Sequence, residues 1–222
     1  MENADSAIYN MKRTRLMLAD DHKVFLETLK HFLEPRFEVV GTATDGIALS
    51  ETAQEVHPDV IVADMGMPLL NGLDAVRKLK RTLRNVKVIF LTMNEDPYLA
   101  VNAMREGASG YVLKKAAGAE LLQAVDAVLK GKSYVSPEIA QSIQEAFIRD
   151  PEGKLSRKVL SQRQREVLQL LAEGKSMKQA ADILAVTPRT IAFHKYKMME
   201  ELGINTSAEL IQFAIRNHVI MN

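Results

Sequence analysis

The sequence predicts an α/β protein with a helical domain appended: a doubly wound parallel sheet over residues 13–131, then an all-α, four-helix unit over residues 156–221. Three observations predict it. Short runs rich in Val, Ile and Leu alternate with helical patterns from residue 13 to 131, as strands buried on both faces of a parallel sheet do. No strand pattern follows residue 155. The stretch 132–155 between the halves is interrupted by Asp150-Pro151-Glu152-Gly153, a helix breaker that marks a linker. The 222 residues accommodate two such units, at roughly 100–200 residues per domain.

Five strand patterns come first: 15–19 (RLMLA), 37–42 (FEVVGT), 60–63 (VIVA), 87–91 (KVIFL) and 110–113 (GYVL). Helical segments lie between them, such as 72–83 with Leu73, Val76, Leu79 and Leu83 on one face. Five βα units in a row argue for a doubly wound sheet. No Gly-x-Gly-x-x-Gly follows the first strand, so a dinucleotide site has no support. In the linker, Ser136-Pro137-Glu138 starts a short helix carrying Ile139, Ile143 and Phe147 as its apolar stripe. Beyond it, Ser161 and Gln164 form a capping box for a helix with Val167, Leu168 and Leu171, which Gly174 ends. A short helix over 177–184 follows. Thr187-Pro188 opens a third helix with Ile191, Met198 and Leu202 before Gly203, and a capping box at Thr206 and Glu209 opens the last.

Composition narrows the chemistry. The chain has no cysteine, which excludes disulfide frameworks, thiolate nucleophiles and Cys-ligated zinc or iron–sulfur sites. It has no apolar run of the length that spans a bilayer, about 18 residues or more, and its start (MENADSAIYNMKRTR) lacks the apolar core of a signal peptide. No membrane association and a cytoplasmic location are therefore expected. The formal net charge of +1 conceals an asymmetry. Residues 155–222 hold ten Lys/Arg against six acids (+4), residues 13–131 hold 15 against 16 (−1), and the rest hold four against six (−2).

Polar residues stand at the carboxyl ends of four apolar strands: Asp20 and Asp21, Asp64, Thr92 and Lys114. In an open parallel sheet those ends share one edge, where ligands bind at the topological switch point. A flavodoxin-like strand order, 2-1-3-4-5, would make the four strands neighbours and bring the side chains together. Three clustered carboxylates cannot all stay ionised without a cation. A hard divalent ion with oxygen ligands, Mg²⁺ above all, resolves the conflict. A lysine and a hydroxyl facing that ion make a receptacle for a phosphoryl group, and a carboxylate beside it can serve as nucleophile. A phosphatase or dehalogenase also uses an Asp after a strand, but it needs a second acid two residues on, and Gly66 stands there.

Asp20-Asp21, the segment from Asp64 through Met67-Pro68 to Gly72, Leu91-Thr92 and the run Gly110 to Lys114 together resemble the receiver domain of two-component response regulators. The resemblance implies that Asp64 accepts the phosphoryl group. It also implies that Asp20, Asp21, Asp64 and the Gly66 carbonyl hold Mg²⁺, Asp20 through water. Thr92 and Lys114 would bind the phosphoryl oxygens, and Tyr111 would be an aromatic switch drawn inward on phosphorylation.

The basic helical end has the charge of a DNA binder. Leu160-Ser161, Glu166-Val167-Leu168, Ala172-Glu173-Gly174, Ala180-Ala181, Thr190-Ile191, His194 and Leu202-Gly203 resemble the LuxR-type helix–turn–helix, and with the receiver the chain resembles the NarL/FixJ class. By that resemblance the motif spans about 177–196, with 187–201 the recognition helix and 206–217 a dimer-forming helix. DNA contacts would fall to Lys178, Arg189, Thr190, Phe193, His194, Lys195 and Lys197. His194 either packs within the domain or reaches a phosphate. Where relatives carry basic residues at base-contacting positions, this chain has Ala192, Phe193 and Tyr196. Phe193 can meet a thymine methyl or be buried against another subunit.

The resemblance thus implies a transcriptional regulator, not an enzyme, that works as a homodimer on double-stranded DNA after a sensor histidine kinase phosphorylates it. Two alternatives stand beside it: a phosphorylation-independent DNA binder, and a receiver that docks proteins through the face formed by its fourth helix, fifth strand and fifth helix without binding DNA.

Overall fold

The computed structural model describes residues 13–149 and 160–220. The N-terminal 1–12, the breaker at Asp150–Gly153, Arg157, Lys158 and the Phe147 side chain lie outside the described residues.

Alternating strands and helices run β1 (Arg15–Ala19), α1 (Lys23–Leu33), β2 (Glu38–Ala43), α2 (Gly46–Val56), β3 (Val60–Ala63), α3 (Gly72–Thr82), β4 (Lys87–Thr92), α4 (Pro97–Arg105), β5 (Gly110–Leu113) and α5 (Ala117–Leu129). The strands form one parallel sheet in the order β2-β1-β3-β4-β5, as expected, and one further strand, β6 (Tyr134–Val135), continues it. The sixth strand corrects the expectation of five. Its two residues pair with Gly110 and Tyr111, too short a stretch to show a sequence period. Side chains of β1, β3, β4 and β5 alternate between two apolar layers. Met17, Ile61, Phe90 and Tyr111 pack on one side of the sheet. Leu16, Val62, Leu91 and Val112 pack on the other, with α1 and α5. Burial on both faces is why these strands lack an apolar–polar alternation.

Helix α6 (Pro137–Arg149) follows β6. It lies on α4, with Ile139 fully buried and Ile143 packed into the same layer as Tyr111. Ser136 fixes its start: the hydroxyl accepts from the Leu113 amide at 3.1 Å and donates to Glu120 at 2.5 Å. Lys115, between Glu95 and Glu138 at 2.7 Å each, ties α6 to the loop before α4. The α4 side of the expected docking face is therefore covered by the chain's own helix.

Four helices follow among the described residues: α7 (Gln162–Ala172), α8 (Met177–Ile183), α9 (Pro188–Leu202) and α10 (Ser207–Arg216). Side-chain caps at Ser161, Thr187 and Thr206 begin three of them as expected, and Ser176 adds a capping box for α8. Gly174 and Gly203 follow α7 and α9 in the left-handed region, at φ +80° and +68°, which costs glycine little. Leu160, Val167, Leu168, Ile191, Met198 and Leu210 fill a core of their own.

Two helix starts press on the chain after β3. A Cβ on Gly72 would stand 2.2 Å from the Asp64 carbonyl oxygen, and one on Gly46 would stand 1.8 Å from that of Leu70. Both atoms are backbone and cannot rotate away. Gly72→Ala should therefore destabilise the sheet domain by about 1–3 kcal/mol, as overpacking does. A lowered melting temperature in calorimetry checks this; unchanged melting would refute it.

Candidate functional site: an acidic pocket joined to the helical domain

The acid pocket forms where the residue types and topology required. Asp20 and Asp64 directly follow β1 and β3, which are neighbours in the sheet, and Lys114 follows β5. The Lys114 ammonium sits 2.7 Å from Asp20 and 2.9 Å from Asp64, with the Phe25 ring 5.1 Å away. Burial works against its charge, yet the hydrogen bonds and charges of the two acids outweigh burial and hold its pKa above the ordinary lysine value. Asp20, at 2% exposure, is capped further by the His22 amide at 3.0 Å. Asp21 is exposed beside them.

Ligand atoms of Asp20, Asp21, Asp64 and also His22 lie within 4.8 Å of one another. Oxygen donors so grouped suit a hard divalent cation. His22 was missed by sequence reasoning; its only signal was adjacency to Asp20-Asp21. Its Nδ1 stands 2.9 Å from Asp21 and 3.3 Å from Asp20. Gly66 lies two residues past Asp64, in the bend that follows β3.

Thr92 and Tyr111 converge on one loop. The Thr92 hydroxyl accepts from the Asn94 amide at 3.1 Å, and the Tyr111 hydroxyl donates to the Asn94 carbonyl at 2.8 Å. Tyr111 is fully buried; burial first, then the charges of Asp96 and Asp64, push its pKa up, so it remains a neutral donor. The ring lies in the apolar layer of the sheet, with its hydroxyl satisfied by the Asn94 carbonyl.

Sequence reasoning did not foresee that the helical domain grips both loops flanking the pocket. On the loop after Asp64, Gln169 of α7 accepts from the Asn71 amide (2.7 Å) and donates to the Met67 carbonyl (3.0 Å). Glu173 accepts from the Leu69 amide at 3.1 and 3.2 Å. Leu69 packs its side chain against the helical domain's core. It does so at φ +65°, a backbone cost of roughly 1–3 kcal/mol for a non-glycine residue that the surrounding contacts must hold in place. On the loop after β4, His218 meets the Asn94 side chain and the Asp96 carboxylate, both at 3.1 Å.

Alongside, Arg165 forks onto the buried Asp74 carboxylate at 2.9–3.2 Å, where Arg77 also binds at 2.7 Å. Lys78 pairs with Glu166 at 3.1 Å, and Arg81 donates to Gln162 at 2.9 Å. The available sequence signal was weak: Arg165, Gln169 and Glu173 recur every four residues along α7, on one face.

The helix–turn–helix residues divide. Arg189, Phe193 and Lys197 are exposed on α9, and Lys178 is exposed on α8. Thr190 engages the Thr187 cap through its amide and hydroxyl. Lys195 is not on that face: its ammonium donates to Ser207 at the start of α10, 2.8 Å away. His194 is half-buried, with its pKa lowered by burial and then by Arg163 and Lys197.

A parallel sheet that gathers carboxylates around one lysine, joined to a four-helix unit containing a helix–turn–helix, is the build of a response regulator. The chain belongs to that family, in its luxR-type branch: residues 16–126 match the response regulator receiver domain, and residues 158–214 match the bacterial regulatory proteins of the luxR family. The oxygen regulatory protein NreC of Staphylococcus aureus (strain JH9) is 32% identical over 93% of this chain and 99% of that protein. The transcriptional regulatory protein DegU of Brevibacillus brevis is 29% identical over 94% and 95%. The response regulator RcsB of Salmonella typhimurium matches in structure with a TM-score of 0.65 at 26% identity, covering 95% of this chain and all of that one. A solved RcsB–DNA complex matches at 0.58 and 27%, covering 90% and 97%. Among the described residues no helix is long and apolar enough to cross a membrane.

Arg165→Ala and Gln169→Ala each remove hydrogen bonds that close the two domains on each other. A bond to a charged group contributes about 1.5–3 kcal/mol. Arg165→Ala in particular should increase the radius of gyration in small-angle scattering; an unchanged radius would show that the contact does not hold the domains together.

Proposed function

We propose that a sensor histidine kinase phosphorylates Asp64, and that this charge loosens the contact between the receiver and the helical domain so that a homodimer binds double-stranded DNA. The division of labour is residues 13–131 as receiver, 132–155 as a linker carrying α6, and 156–221 as the DNA-binding domain with its motif at about 177–196. Such a regulator works in the cytoplasm.

The chemistry is transfer of one group. An Asp64 carboxylate oxygen attacks the phosphorus of a phosphohistidine; the P–N bond breaks, the histidine leaves with a proton, and an acyl phosphate remains. Asp20, Asp21, Asp64 and the Gly66 carbonyl would hold Mg²⁺, which when bound offsets charge on the transferred group. Lys114, already beside Asp64, and Thr92, at the next strand end, are placed to bind phosphoryl oxygens. The pocket modifies itself; it turns over no substrate.

One observation supports the coupling above all: Gln169, Glu173 and His218 hold the loops on both sides of Asp64. Phosphorylation adds a dianionic group at pH 7. It competes with Asp20 for Lys114, and it can accept from the Thr92 O–H, whose oxygen at the same time accepts from the Asn94 amide. The seam already holds Glu173 at the end of α7, Asp74 in the first turn of α3 and Asp96 on the β4–α4 loop, so added negative charge there works against closure. The strained Leu69 backbone is released when the seam opens. The expected result is a domain freed to dimerise.

Incubation with Mg²⁺ and a small phosphoryl donor should give one acid-stable, base-labile phosphate that Asp64→Asn lacks; a variant still labelled would remove Asp64 from the acceptor role. In the wild type, labelling should speed amide hydrogen exchange at residues 67–71, and unchanged protection on full labelling would refute the coupling. DNA affinity should fall steeply with salt through counterion release, and a flat salt response would count against phosphate contacts.

A further inference from the structure

We infer that α9 reads thymine through an apolar contact, with Phe193 seated on the 5-methyl group in the major groove and the Tyr196 ring forming a second wall. This rests on the DNA-binding reading and names the sequence class that binding would prefer.

The face of α9 opposite the core carries the argument. Ile191 and Met198 are fully buried in the helical domain, which turns Arg189, Phe193, Tyr196 and Lys197 outward. Phe193 and Tyr196 are 60% and 59% exposed. In a helix–turn–helix the N-terminal part of the second helix enters the major groove, and here that part has Phe193 at its centre with the small Ala192 beside it.

Charge sets which part enters. The Thr187 cap opens the helix, so its free amides and positive dipole end face the same way as Arg189. Glu200 and Glu201 are exposed at the far end and repel phosphates. The N-terminal part of the helix, through Tyr196, is therefore the reading surface.

The two lysines nearest Phe193 are engaged by the domain's own groups rather than offered to bases. Lys195 is turned to Ser207 at 2.8 Å. The Lys197 ammonium lies 5.8 Å from the Phe193 ring centre, and 3.8 Å from Glu201. That leaves a phenyl ring where a hydrogen-bonding side chain would read a base edge. Every major-groove edge presents donors or acceptors, and the one apolar group among the four base pairs is the thymine methyl. Phe193 against guanine or cytosine would cover polar atoms without pairing them, which disfavours those bases. Against thymine, it buries a methyl.

The test uses the full-length protein. Double-stranded sites are selected from a random-sequence pool, the recovered sequence is aligned, and each invariant thymine is replaced by deoxyuridine, which removes only the methyl. At the base under Phe193 the affinity should fall about fourfold, the equivalent of about 0.8 kcal/mol for one buried carbon at RT of about 0.59 kcal/mol. Phe193→Ala should bind more weakly and lose that discrimination, holding thymine and uracil sites equally; Phe193→Leu should keep part of it. Binding that is indifferent to uracil at every position would overturn the inference while leaving DNA binding intact. So would unchanged affinity in Phe193→Ala, which would mark the ring as a protein-docking surface. Recovery of no preferred sequence would overturn the inference, and absence of any salt-sensitive DNA binding would overturn the underlying reading with it.

Discussion

Asp20 and Asp64 are buried a few ångströms apart, and a fold that buries two like charges requires a cation between them. Lys114 supplies it, reaching from the end of β5 to both carboxylates. Much else follows from that arrangement. The three residues leave β1, β3 and β5, so their meeting depends on a strand order that sets β1 beside β3 and closes the pocket across β4. The ion cluster also makes the pocket responsive: any further anion must share Lys114 or bring a metal ion of its own.

The loop after Asp64 carries that sensitivity outward. It is short, pressed by the Gly46 and Gly72 helix starts, and held at Met67, Leu69 and Asn71 by side chains of α7. A loop with room to relax would absorb a change at Asp64. One packed on both sides passes it on, because close-packed interiors transmit strain rather than dissipate it. The β4–α4 loop offers a parallel route through Asn94, whose amide, carbonyl and side chain contact Thr92, Tyr111 and His218 respectively. Helix α9, meanwhile, keeps Phe193 and Tyr196 exposed. The contact between the domains therefore restrains where the helical domain sits without covering that face of α9.

Legibility in the sequence followed chemistry and distance. Strands β1, β3 and β5 were readable to the residue because apolar runs bounded by Asp or Lys leave little choice of register. The caps at Ser161, Thr187 and Thr206 were readable because capping is local. The two-residue β6 was not, since it becomes a strand only by pairing with β5. Lys195 looked like a DNA contact from its place on a basic helix, but its direction depends on where Ser207 lies, twelve residues away. Tyr111 was identified as a residue of interest; its inward position depended on packing.

By itself the sequence determined the two domain types, the strand ends that carry Asp20, Asp21, Asp64, Thr92 and Lys114, and the aromatic departure at Phe193 and Tyr196. These are consequences of period, residue type and short-range spacing, all written along the chain. Only the tertiary structure decided that Gln169, Glu173 and His218 hold the loops around Asp64, that Arg165 reaches Asp74, and that α6 covers α4. Those contacts join residues about a hundred positions apart, or depend on which face of a helix meets a neighbour. A polar side chain on a helix reads the same whether it meets water or another domain, and the difference arises only when the two surfaces meet.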